Sequence, residues 1–178
     1  MLSPSKSAIV LALVGAQFFA PKAAVVRDHD VHQDVLNTVA HFRREDPEIA
    51  RFFDKSVAYA VLPTVGKGAV GVGGAYGTGE LIENGDAIGK VTMTQVTAGV
   101  ALGGQTYSEI IFFESKAALD AFKKGETSFA AQTSAVALKS GAAKDAKYKE
   151  GIAIFSDPKE GLMAEASVGG QKFTFKKY

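Results

Sequence analysis

At 178 residues, with 47% hydrophobic and 22% charged residues, the chain has enough apolar sequence for one sizeable core, which excludes wholesale disorder. Twenty Lys and Arg against 19 Asp and Glu leave a net charge of +1, so a generally basic nucleic-acid-binding surface is excluded and any cationic patch is local. The absence of cysteine excludes disulfides, thiolate zinc sites and Cys nucleophiles.

Residues 1–7 carry Lys6 and no acid, and residues 8–16 form an unbroken small and apolar run. That layout predicts a secretory signal over 1–24, with Ala16, Ala20, Ala23 and Ala24 as candidate cleavage residues. An uncleaved first helix is the alternative; the run is short of the ~20 residues that span a bilayer. Residues 25–178 read as a single domain, and the signal reading sets it outside the cytoplasm: periplasmic or otherwise secreted, with peripheral membrane contact.

Val31, Val35, Leu36, Val39, Ala40 and Phe42 recur near a helical period and predict a helix over 31–44 with one buried stripe. Asp46 before Pro47 supplies an N-cap and a first-turn proline for a second, short helix through Ile49, Phe52 and Phe53. Beyond Asp54 the pattern turns strand-like. Strands are expected around Val57, Tyr59 and Val61, then over 69–76, 88–97, 99–105 and 108–113. Tight turns are expected at Gly66-Lys67-Gly68, Gly77-Thr78-Gly79 and Asn84-Gly85-Asp86. Ser115 caps a helix with an apolar face of Ala118, Leu119, Ala121 and Phe122, stopped by Gly125. Strands resume over 129–139, 152–155, 162–168 and 171–175, with an exposed loop or short helix between Gly141 and Gly151. The fold class is therefore α+β: a strongly curved, mainly antiparallel sheet or partial barrel packed by a few helices.

Twelve of the 19 glycines fall between Gly66 and Gly104. Alternation puts Ala69, Gly71, Gly73 and Ala75 on one strand face, leaving it almost bare backbone. Glycine weakens a strand, so this placement implies close approach by another element or sharp sheet curvature. Gly66 to Gly71 also spells G-x-G-x-x-G, but a strand pattern follows it where a phosphate-binding turn needs a helix N-terminus, so no nucleotide cofactor is expected. Residues 101–107 and 167–173 echo one another as small, aliphatic, Gly, Gly, Gln, any, aromatic, each expected to mark a tight turn or bulge.

Few residues suggest catalysis. His29 and His32 share a helix face with Asp28 nearby, which is either a weak metal site or a solvated helix start. The third histidine is His41, and no G-x-S-x-G elbow exists, so a non-enzymatic protein without cofactor is expected. Glu109 and Glu165 each interrupt a strand pattern, which marks them as acids to inspect for burial. At the C-terminus Phe173 and Phe175 point one way and Lys172, Thr174 and Lys176 the other, followed by Lys177. Together with Lys67, placed at an expected loop tip, these lysines are candidate contacts for anionic lipid headgroups; as an alternative they only solubilise an edge strand.

Residues 58–74, 99–107 and 161–175 together resemble the SYLF lipid-binding domain family, in its compact secreted bacterial branch. The resemblance covers roughly Asp34 to the C-terminus and rests on an alternating strand ending at Pro63, Gly66-Lys67-Gly68, a glycine-faced strand and a terminal Gly-Gly-Gln-x-aromatic. It implies a binding domain whose partner is an anionic lipid or membrane surface, with no catalytic residues to transfer. The alternative is a structural or protein-interaction module of the cell envelope.

Overall fold

The computed structural model describes residues 28–126, 128–130 and 135–178; the signal-like segment lies outside them. In chain order it contains α1 (Asp28–Glu45), a 3₁₀ turn (Pro47–Ile49), α2 (Ala50–Lys55), β1 (Ala58–Glu83), β2 (Asp86–Phe113), α3 (Lys116–Lys123), β3 (Ser128–Ala130), β4 (Ala135–Ala137), α4 (Ala142–Asp145) and β5 (Ile152–Lys177). The architecture is α+β, built on one five-stranded sheet of order β1-β2-β5-β3. All pairings are antiparallel except β4 on β5, and the sheet stays open.

Three of the five strands, β1, β2 and β5, are very long, at 26, 28 and 26 residues, while β3 and β4 have three each. Only Asn84-Gly85 among the three expected turns reverses the chain: both residues have positive φ, and the register runs from Glu83↔Asp86 back to Ala58↔Phe113. Gly66-Lys67-Gly68 and Gly77-Thr78-Gly79 lie inside β1, so Lys67 is no loop-tip residue but faces Gln105 in mid-strand. Likewise Gly169-Gly170 lies within β5, opposite Val96 and Thr97, and the three strands expected over 152–175 are one.

The physical reason is that β1 coils back over itself, aided by register shifts after Leu62 and Val70. A Cβ on Gly79 would overlap the Val61 carbonyl, and one on Gly77 would crowd the Val65 side chain. These glycines supply closeness between two stretches of one strand instead of a change of direction. Replacing Gly79 by Ala is therefore expected to cost at least about 3 kcal/mol in urea unfolding, since backbone must move to admit the methyl. Gly66→Ala, which meets nothing within 4 Å, is the matched control and is expected to be near neutral.

Strand alternation feeds two cores. Ile111, Phe113, Ile152, Ile154, Met93 and Phe173 point to the inner face of the coiled sheet, where Leu119 and Phe122 of α3 join them. Ile110, Phe112, Ala153 and Phe155 point to the outer face, beneath Val31, Val35 and Phe42 of α1 and Ile49 and Phe52. The buried stripe of α1 is completed by Thr38, while Leu36 faces solvent.

The caps behave as their residues require. Ser115 accepts from the Ala118 amide, and Gly125 takes positive φ after α3. Asp46 does more. Its carboxylate, fully buried, accepts from the Glu48 amide at 3.2 Å and, across the chain, from Gly141 at 3.2 Å and Ala143 at 2.7 Å. One side chain thus caps the 3₁₀ turn and α4 together. The Arg51 guanidinium, stacked 4.6 Å from the Phe52 ring, donates to the Ala143, Lys144 and Ala146 carbonyls, so α4 is gripped at both ends from one segment.

Candidate functional site

Two surfaces of the coiled sheet stand out, one on each face. On the outer face, beyond the helices, the cross-strand rows are Val70–Leu102, Val72–Ala98, Gly74–Val96 and Tyr76–Thr94–Lys172. Val70, Val72, Val96, Leu102 and Tyr76 are 84%, 70%, 72%, 66% and 58% exposed, so large apolar side chains stand together in solvent. Lys172 extends the last of these rows, which continues to Ser128 of β3, and Lys176 lies four residues along β5 on the same face, opposite Lys90. Lys177 is exposed next to it.

The inner face holds the opposite chemistry. A cleft of about 220 Å³ is lined by Lys67, Gln95, Gln105, Tyr107, Glu109, Ser156 and Gln171, with Ala135, Ala137 and Pro158 beside them. Gln95 and Gln171 are cross-strand partners on β2 and β5, yet Gln171 reaches over the interior to donate to Glu109 at 3.1 Å and Tyr107 at 3.4 Å. That reach is possible only because the sheet coils. Gln95, Gln171 and Glu109 are 4%, 2% and 1% exposed. Both amide atoms of Gln95, the Gln171 carbonyl oxygen and Oε1 of Glu109 are buried without a hydrogen-bond partner among the described residues. Burial disfavours the carboxylate and pushes the Glu109 acid up to about 7, an effect the Gln171 amide only partly opposes.

The four lysines chosen from sequence do not converge. Lys172 and Lys176 belong to the outer side, Lys67 lines the inner cleft, and Lys177, exposed at the end of β5, has the inward parity of Phe173 and Phe175. His32 donates from Nδ1 to the buried Glu80 at 2.7 Å, and the Tyr178 hydroxyl donates to the other oxygen of that carboxylate at 2.7 Å. The side chains of His29 and Glu165 lie outside what the structure describes. Among the described residues no group of three or more His, Asp or Glu is placed to hold a metal ion.

His41 pairs with Asp157 at 2.8 Å beside a second cleft of about 490 Å³, which Ser108 also lines. A serine, a histidine and an aspartate there invite comparison with a nucleophile site. Arg44 can only donate, so it fixes Nδ1 of His41 as acceptor at 3.2 Å and leaves the proton on Nε2, facing Asp157. Both ring nitrogens are thus engaged, and among the described residues the buried Ser108 hydroxyl makes no hydrogen bond to the ring.

Sequence reasoning singled out Glu109 for inspection but passed over Gln95 and Gln171. Their signal was parity: Gln95 shares the inward alternation of Val91 and Met93, and Gln171 that of Phe173.

Among the described residues no helix is long and apolar enough to cross a membrane. No family model matches the chain. A curated relative, Beta cell expansion factor A of Aeromonas veronii, is 33% identical over 132 residues, covering 72% of this chain and 49% of that protein. The chain thus spans about half the length of the relative that it resembles.

Proposed function

We propose that the chain is an extracytoplasmic, non-enzymatic protein that binds anionic membrane surfaces through the bare outer face of its sheet. The observation that carries this reading is the apolar group of Val70, Val72, Tyr76, Val96 and Leu102, adjoining Lys172 and Lys176 on one face. Side chains of that kind enter the interfacial layer of a bilayer, while ammonium groups at the margin meet phosphate. Lys67 takes no part, because it faces the inner cleft. The resemblance to SYLF domains carries the same expectation.

Co-sedimentation with phosphatidylglycerol-containing and pure phosphatidylcholine vesicles tests it. Binding is expected to the anionic vesicles and to weaken with salt. Replacing Lys172 and Lys176 together by Ala should weaken it about 30-fold, at about 1 kcal/mol per lysine near the surface. Val96→Asp with Leu102→Asp should abolish the part that salt does not remove. Equal binding to both vesicle types would overturn the electrostatic part. No vesicle binding, with one cross-linked protein partner from intact cells, would favour an envelope interaction module.

A further inference from the structure

We propose that the inner cleft is a binding site for a small neutral polyhydroxylated ligand the size of one sugar ring, a function separate from the outer face. The sheet here builds polarity into what is otherwise core. Two rows on, the same alternation carries Met93 opposite Phe173, both buried, whereas Gln95 opposite Gln171 buries two amides. A buried amide or carboxyl without a partner is unfavourable, so four such atoms around one cleft call for a ligand that satisfies them.

The character of those atoms selects the ligand. Gln95 offers an unpaired donor and an unpaired acceptor, Gln171 an acceptor, and Glu109 a carboxyl oxygen. A hydroxyl both donates and accepts, and several on one ring answer this mixture. An anion would lie against Glu109 and the Gln171 carbonyl oxygen, and a cation against Lys67. Tyr107 adds an aromatic ring, the usual neighbour of a sugar's C–H face. A volume of about 220 Å³, open to solvent on one side, accommodates a ligand of the size of a single pyranose.

The test is a titration of the ¹⁵N-labelled protein with D-glucose, D-galactose and N-acetyl-D-glucosamine, and separately with acetate and inorganic phosphate. The expected result is saturable movement of the Gln95 and Gln171 side-chain amide signals with at least one sugar, at lower concentration than with either anion. Gln95→Leu should weaken that binding at least 10-fold, the loss of a paired amide on each side of a polar contact. If Gln95→Leu does not fold, Gln105→Leu, at a less buried position of the cleft, is the substitute with the same expectation. No movement with any sugar up to about 20 mM overturns the proposal, since weaker binding leaves the cleft a water-filled one. Tighter binding of acetate or phosphate overturns it too, as does undiminished sugar binding in a folded variant.

Discussion

Replacing Glu109 by Gln is expected to stabilise the protein by about 3 kcal/mol at pH 8 and to leave it nearly unchanged below pH 4.5. The carboxyl is 1% exposed, and burial raises it from 4.5 to about 7. Between those values the folded chain holds a proton that the unfolded chain has released, so folding stability falls as pH rises through the window. Below it both states are protonated; above it the folded state must bury a charge. Glutamine is neutral at every pH, keeps an oxygen for the Gln171 amide, and removes that penalty. Thermal melts of both proteins from pH 4 to 8 check this: the gain should grow to on the order of 10 °C at the alkaline end. A difference that does not change with pH, or a variant less stable at pH 8, would show that Glu109 reaches solvent or a cation in the folded state.

Asp46→Ala is expected to cost about 4 kcal/mol. An ordinary cap contributes about 0.5–2 kcal/mol, and a buried amide left without acceptor costs a further 1–3 kcal/mol. Here one fully buried carboxylate serves the amides of Glu48, Gly141 and Ala143, two of which lie 95 and 97 residues away. Asn keeps one acceptor but turns an NH₂ toward amides that also donate, so Asp46→Asn should lie about halfway, near 2 kcal/mol. Urea unfolding gives the totals, and amide exchange at Gly141 and Ala143 localises the loss. A cost under about 1 kcal/mol for Asp46→Ala would mean that water replaces the carboxylate.

What could be read along the chain was what depends on neighbours in the chain. The helix α1, the Asp46-Pro47 start, the Ser115 cap and the Asn84-Gly85 reversal each follow from local conformational preferences and are found in place, although Leu36 and Ala40 of the expected stripe face solvent. Gly66-Lys67-Gly68 and Gly77-Thr78-Gly79 misled because a glycine that permits a turn is indistinguishable, in one dimension, from a glycine that permits another backbone to approach. What decides between them at Gly79 is Val61, eighteen positions earlier. The cleft was hidden for the same reason. Gln171 meets Glu109 only across a coiled interior, and no pattern of alternation reports which two inward-facing rows the coiling brings together.

The central position of β2 governs how the protein assembles. One of its edges is covered by β1, which zips from a two-residue turn, but the other waits for β5, whose register runs from Phe113↔Ile152 to Gly89↔Lys177. Those closures span tens of residues, which places refolding among the slow, topology-limited cases measured in milliseconds to seconds. Until β5 arrives, β2 presents a long row of unsatisfied amides and carbonyls, a template for a second molecule in the same condition. Yield on dilution from denaturant should therefore fall steeply as protein concentration rises, while lengthening the connection near Gly141 slows the productive route only logarithmically.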